Sequence, residues 1–197
     1  MKMLFDCLAV MALSLTLAAC GGSGGASETT QPKSEYQPST PKPLSADYVI
    51  NMAAQLPPEP GEGNDLTLIG IDANNNGVRD DIERWIALEG APESSKLRAI
   101  LLQGAQADQR ILYGFQSQAD VDEIRQDSAR AVAAMAKHYS TENWQKVKEI
   151  YLKTFNTYER LSMLKEYEKA LSARVYSTLG GKPDSELFDI DPASLPD

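Results

Sequence analysis

The sequence predicts an all-α fold, and three observations carry that expectation. From Leu97 onward, apolar residues recur at three- and four-residue spacing, the period of a helix with one buried face. No long stretch alternates apolar with polar residues as a half-buried strand would. Residues that cap or break helices, among them Ser45, Pro57-Pro58, Gly90, Gly114 and Gly180-Gly181, fall between the periodic segments. The expected architecture is an antiparallel helical bundle of about four longer helices, with two short N-terminal helices and an Asn-rich loop packed at one end.

Before that domain the chain carries a leader. It opens Met1-Lys2-Met3, continues almost without charge from Leu4 to Ala19, with Asp6 as the one acid, and reaches Leu17-Ala18-Ala19-Cys20. A basic start, a short apolar core and small residues before a cut define an export signal over residues 1–19. The apolar run Cys7–Ala19 has 13 residues, against about 20 for a spanning helix. The reading is therefore removal, not retention as a membrane span. Residues 20–43 then hold almost no large apolar side chains and many Gly, Ser, Thr and Pro. Such a segment cannot bury enough surface to offset its ordering entropy and reads as a disordered tether, with an end-to-end distance of roughly 25 Å.

The domain itself is expected over residues 44–181. Ser45 caps a first helix through about Gln55, stopped by Pro57-Pro58-Glu59-Pro60-Gly61. An extended piece, Leu66–Ile71, leads into the Asn-rich turn, and a second helix begins near Asp80 and ends by Gly90. Leu97, Ile100, Leu101, Ala105, Ile111, Leu112 and Phe115 form one stripe; Val121, Ile124, Ala131, Val132, Met135 and Tyr139 form the next. Trp144, Val147, Tyr151 and Phe155 mark a third long helix, ended near an Asn156-to-Glu159 capping box. A last helix carries Leu161, Leu164, Leu171 and Val175 and stops at Gly180-Gly181. Residues 182–197 read as an extended acidic tail.

The tetrad Leu17-Ala18-Ala19-Cys20 resembles the lipobox of bacterial lipoproteins. That resemblance implies thioether diacylation at Cys20, cleavage before it and acylation of the freed amine, hence a chain held at a membrane by several acyl groups such as palmitate. An ordinary secretory signal followed by a chance cysteine is the competing account. By resemblance to lipoprotein sorting rules, Gly21 in place of Asp points to the cell outer membrane, facing the periplasm or beyond, where the organism has one. Cys7 departs with the leader and Cys20 carries lipid, so the mature chain has no cysteine pair to cross-link. Losing the leader removes one Lys and one Asp, which keeps the net charge at −9. Nucleic acid and anionic head groups repel such a surface.

Residues 72–83 read Asp-Ala-Asn-Asn-Asn-Gly-Val-Arg-Asp-Asp-Ile-Glu. Oxygen-bearing side chains stand at positions one (Asp72), three (Asn74), five (Asn76), nine (Asp80) and twelve (Glu83), with Gly77 at six and the Val78 carbonyl at seven. This is the spacing of a twelve-residue calcium loop: alternate residues of a tight turn aim oxygens at one point, and glycine supplies the positive φ. A random window satisfies the five most diagnostic positions about twice in a million. The donors are hard oxygens with no His or Cys nearby, which favours calcium over zinc or copper. Neutral Asn at positions three and five predicts weak binding, roughly 10⁻⁵ to 10⁻³ M. A second account needs no ion: Asn74–Gly77 form a turn, and Asp80, Asp81 and Glu83 face the dipole of the following helix.

The loop resembles those of EF-hand, dockerin and thrombospondin type 3 proteins over these twelve residues only. It departs from a paired EF-hand: Arg79 stands where an apolar residue is usual, an extended segment replaces the entering helix, and there is no second loop. The wider stretch from Leu56 through Ile86 is similar to uncharacterised bacterial exported lipoproteins, which implies location and a metal loop but no activity.

Catalytic signatures are weak. His138 is the only histidine and sits near a helix end, a place for dipole or packing interactions. There is no Gly-x-Ser-x-Gly, and no second His or free thiol to complete a hydrolase of the Ser-His-Asp or Cys-His kind. Glu166 and Glu168 lie two apart and do not share a helix face. Trp144, Tyr151, Phe155 and Tyr158 keep helical spacing and read as core, with Trp85 and Ile86 packing the short second helix. The expectation is a non-enzymatic, lipid-anchored envelope protein with a structural calcium loop and a helical domain that binds an envelope protein. The alternatives are an enzyme or small-ligand binder with an interhelical pocket, and a spacer with no partner.

Overall fold

The structure is a computed structural model that describes residues 41–172 and 174–196. The leader, Cys20 and most of the 20–43 segment lie outside the described residues. The fold is all-α, with no strand among the described residues. Its helices are α1 (Ala46–Ile50), α2 (Asp80–Trp85), α3 (Ser95–Tyr113), α4 (Gln118–His138), α5 (Trp144–Thr154), α6 (Tyr158–Leu171) and α7 (Asp184–Leu187). Short 3₁₀ turns occur at Met52–Ala54, Gly61–Asp65, Thr141–Asn143 and Pro192–Ser194, and a π turn at Ile86–Gly90 follows α2.

Side-chain caps set where these helices begin. Ser45 accepts the Tyr48 N–H, Ser94 the Leu97 N–H and Thr157 the Arg160 N–H. Ser117 and Asp120 form a reciprocal capping box on α4. Each satisfies donors that a helix start leaves unpaired, at about 1 kcal/mol per cap. The break between α5 and α6 falls where the sequence places it, but the cap is Thr157 rather than Asn156. Gly114, at φ +89°, takes the chain out of α3.

α3 is the centre of the domain, in contact with α1, α4, α5, α6 and the π turn. Its stripe residues Leu97, Ile100, Leu101, Ala105, Ile111 and Leu112 are all buried, and so are Ala99, Leu102, Gln103, Ala107 and Gln109 on its other sides. Two apolar clusters result. The larger joins Val49, Met52, Ile82, Trp85 and Ile86 to the first half of α3, to Ala134 and Met135 of α4 and to Ile150 of α5. The smaller gathers Ile111, Leu112, Val121, Ile124, Phe155, Leu164 and Tyr167 around the second half.

Several stripe assignments are corrected. α6 ends at Leu171, and Val175 is fully exposed. Its inward face is Arg160, Leu164 and Tyr167, which leaves Leu161 and Tyr158 outside, at 43% and 80% exposure. α6 packs by one face only, and Leu161, about 100° round the helix from Arg160, falls off that face. Val132 faces out beside buried Ala131 for the same reason. Leu66–Ile71 is irregular, and Leu66 is exposed. The C-terminal residues do not extend away: Leu187, Phe188, Ile190 and Leu195 are buried in the larger cluster. Full burial of such side chains contributes about 1.5–3 kcal/mol each, enough to hold a short acidic segment against the domain.

Candidate metal loop

The loop 72–83 is built by its own side chains. Asp72 accepts the N–H groups of Asn76 (3.1 Å) and Gly77 (2.8 Å) on its two carboxylate oxygens. Asn74 Oδ1 accepts the Asn76 N–H, and Asn76 Oδ1 accepts the Val78 N–H at 2.8 Å. Asp80 Oδ1 takes the Ala73 N–H at 2.9 Å. Asn75 (φ 56°) and Gly77 (φ 83°) are left-handed, conformations that Asn tolerates and Gly adopts freely. Asp, Asn and Gly at these positions therefore fold the loop through local turn chemistry.

At its centre sits Glu83, fully buried. Asn74 Nδ2 donates to both its oxygens (3.1 and 3.2 Å), and Asn76 Nδ2 donates to Oε1 at 2.6 Å. No cationic side chain pairs with it among the described residues. Burial pushes the Glu83 carboxyl up to about 8. Burial also raises Asp72, against the pull of the Gly77 and Asn76 N–H groups. Asp80 is raised by burial and by the charges of Asp72 and Asp81, against the Ala73 N–H. The loop thus gathers carboxylates in a place that disfavours their charge.

The residue types, acids and amides without a thiol or imidazole, are those a hard divalent cation takes. Glu83 is a buried carboxyl without a counter-charge, held by two amides, and a cation would offset a desolvation that amide N–H groups only partly offset. The fit requires a rearrangement: the two amide nitrogens point at Glu83, and rotation about χ2 would bring each Oδ1 inward instead. As arranged, no three His, Cys, Asp or Glu side chains among the described residues converge on one metal position. Asp72 and Asp80 are turned to backbone N–H groups, and Val78 is buried with its N–H on Asn76. Both parts of the ion-free account are present: Asn74–Gly77 turn through their own side chains and two left-handed residues, and Asp80, Asp81 and Glu83 occupy the first turn of α2.

The surroundings pin the loop from several sides. Arg79 is fully buried. Its guanidinium grips Asp81 with two 2.7 Å bonds and donates to the carbonyls of Lys153 (2.9 Å) and Thr154 (3.2 Å), capping the C-terminal end of α5. Position eight of the loop thus carries a clasp to another helix, which explains its departure from an apolar residue. Arg160 holds the preceding segment, donating to Asp65 (2.6 Å), to Asn156 and to the carbonyls of Asn64, Thr67 and Leu68. Along α3, Gln106 donates to the Asn76 carbonyl (2.6 Å), Gln109 to that of Ile69 (2.7 Å) and Gln103 to that of Leu187 (2.8 Å). Gln103 also accepts the Asp189 N–H at 3.1 Å. Sequence reading missed these clamps; only the odd placement of Arg79 signalled one.

Other candidates take structural parts. His138 Nε2 lies 2.9 Å from Asp184 Oδ1, and its ring packs edge-on against Phe188, tying the end of α4 to α7. A cavity of about 200 Å³ lies beside the loop, lined by Pro41, Gly77, Gln106, Arg110, Asp127 and Asp189. It is below the ~300 Å³ at which small-molecule pockets begin, and its charges are paired, Arg110 with Asp127 and Asp189 with Arg130. Among the described residues, no helix is long and apolar enough to cross a membrane. No protein-family model, curated protein or solved structure matches the chain.

Proposed function

We propose that this chain is a lipid-anchored envelope protein, non-enzymatic, whose 72–83 loop takes a structural calcium ion and whose helices serve as a protein-interaction module. Cys20 carries the lipid and the rest of the 20–43 segment acts as the tether, with the outer membrane as destination. The longer helices α3 to α6 are read as an antiparallel bundle. The observation that carries the metal part is Glu83, a buried carboxyl held by two amides with no cationic partner among the described residues. Calcium would be held by the side chains of Asp72, Asn74, Asn76, Asp80 and Glu83 with the Val78 carbonyl, and would stabilise the folded state by binding it preferentially.

Support for an interaction module comes from Leu152, Tyr158 and Leu161 of α5 and α6, exposed at 58%, 80% and 43%.

The metal reading is tested by melting a soluble form beginning at Gly21 in millimolar calcium and in chelator. Calcium raises the midpoint, and Glu83→Gln abolishes the rise; an unchanged midpoint in the unsubstituted protein overturns the reading. Palmitate labelling that persists in Cys20→Ser overturns the anchor. A photo-crosslinker at Tyr158 in intact cells captures one reproducible neighbour if the helices form a module, and none if the domain is a spacer.

A further inference from the structure

The chain enters the described domain at the rim of the cavity beside the loop. Pro41 lines that cavity and lies against Gly77, where a Cβ would fall 3.0 and 3.2 Å from Pro41 Cβ and Cγ and 3.6 Å from Gln106 Nε2. The next amide is held as well: the Lys42 N–H donates to the Asn75 carbonyl at 2.8 Å. Pro41 is thus fixed beside Gln106 of α3, at the edge of a space of about 200 Å³.

The floor of that space is one face of α3, since Gln103, Gln106, Arg110 and Tyr113 recur at three- and four-residue steps. One end is closed, because Gln103 holds the C-terminal segment there through the Leu187 carbonyl and the Asp189 N–H. A chain that runs back from Pro41 along the floor can do so only toward Arg110 and Tyr113. The residues before Pro41 suit that path. Gln37, Thr40 and Lys42 each precede a proline, which disfavours helical backbone, and Pro38 and Pro41 stand three apart, the period of polyproline II. From Gln106 to Tyr113 is seven helical steps, about 10 Å. From Pro41 back to Pro38 is three polyproline II steps, about 9 Å. The lengths match, and they bring Pro38 to the Tyr113 ring, the kind of surface that polyproline II segments dock on. Ser39 and Thr40 add no charge to walls whose own charges are paired, Arg110 with Asp127 and Asp189 with Arg130. The prolines leave little freedom to lose, and docking next to residues already held is intramolecular.

We propose that Pro38–Pro41 lies as one polyproline II turn along this face of α3 with the Pro38 ring on Tyr113, so that the chain leaves the domain at the C-terminal end of α3 rather than at the loop. The consequence for the membrane rests on the lipid-anchor reading above. It shortens the tether of that reading to residues 21–37, with an end-to-end distance of about 23 Å, and makes the end of α3 the point from which the domain is held.

The test uses the full chain in detergent, followed by nuclear magnetic resonance. Cross-relaxation between the Pro38 and Tyr113 ring protons is expected. Order parameters at Ser39 and Thr40 should approach the ~0.85 of rigid backbone, against values below ~0.6 at Thr29 and Thr30. Pro38→Gly, a change in none of the described helices, should lower Ser39 below ~0.6 and leave the thermal midpoint of the domain unchanged. Tyr113→Ala should lower Ser39 equally. Missing cross-relaxation in the unsubstituted chain overturns the proposal, and so does a Ser39 that stays ordered in either variant. None of these readouts involves the lipid, so palmitate labelling that persists in Cys20→Ser overturns the anchor and leaves the docked turn standing.

Discussion

Asp108 supplies the sharpest test of the packing around α3. Its carboxylate is half-buried, its charge acts on Tyr151 of α5 and Tyr167 of α6, and no hydrogen bond or ion pair reaches it among the described residues. Burial pushes its carboxyl from 3.8 up to about 7. Because the folded value lies above the unfolded one, the folded chain keeps a proton that the unfolded chain has already released. Stability is therefore lost as pH rises from about 4 to about 7, and the loss is constant above that window. A shift of about three units at ~1.36 kcal/mol each sets a ceiling near 4 kcal/mol. The group's partial contact with water reduces this to about 1–2 kcal/mol. Asp108→Asn keeps the shape and removes the charge. In urea unfolding, the variant should be more stable by about 1–2 kcal/mol at pH 8 and no different at pH 4. A difference that does not change with pH, or a variant less stable at pH 8, would refute the assignment.

Arg160→Met should destabilise the domain by about 1–3 kcal/mol, since it leaves three carbonyls of the 64–68 segment without their donor. Its signature is faster amide exchange concentrated in residues 64–71. Gln103→Leu removes the partner of both the Leu187 carbonyl and the Asp189 N–H. A loss of about 1–3 kcal/mol is expected, with faster proteolysis near residue 187 before global unfolding. Gly70→Ala places a Cβ 2.3 Å from Arg79 Cδ at a φ of +71°. It should cost about 1–3 kcal/mol from overpacking alone, and loosen the end of α5 that Arg79 caps; a neutral effect in thermal melts would contradict that packing.

Periodicity and cap chemistry made the helices legible because both are local. Ser45, Ser94 and Ser117 each stand before an apolar stripe, and each caps a helix. The six apolar stripe positions within α3 are all buried, but its equally buried reverse side was hidden, because Ala and Gln there look solvent-facing in sequence. In α6 a buried arginine displaced the expected apolar face, since hydrogen bonding to five groups offset the desolvation of its guanidinium. The C-terminal segment reads as acidic by its Asp and Glu, yet four apolar residues interleaved among them decide its position. In the loop, Asn74 and Asn76 meet Glu83 through their amide nitrogens, whereas the twelve-residue pattern aims their oxygens at a shared point. The turning of Asp72 and Asp80 to backbone N–H groups depends on three-dimensional competition that spacing does not encode.

The glutamines at 103, 106 and 109 make α3 a ruler for the irregular chain beside it. Residues three apart are offset by about 4.5 Å along a helix, so the C-terminal segment, the 72–83 loop and the 66–71 stretch are each referred to helical pitch, in addition to the contacts they make with one another. One residue inserted between Gln103 and Gln106 would turn the later marks by about 100° relative to the first. The helix would lose nothing in length or propensity, yet the two ends of the chain would no longer be measured against the same edge.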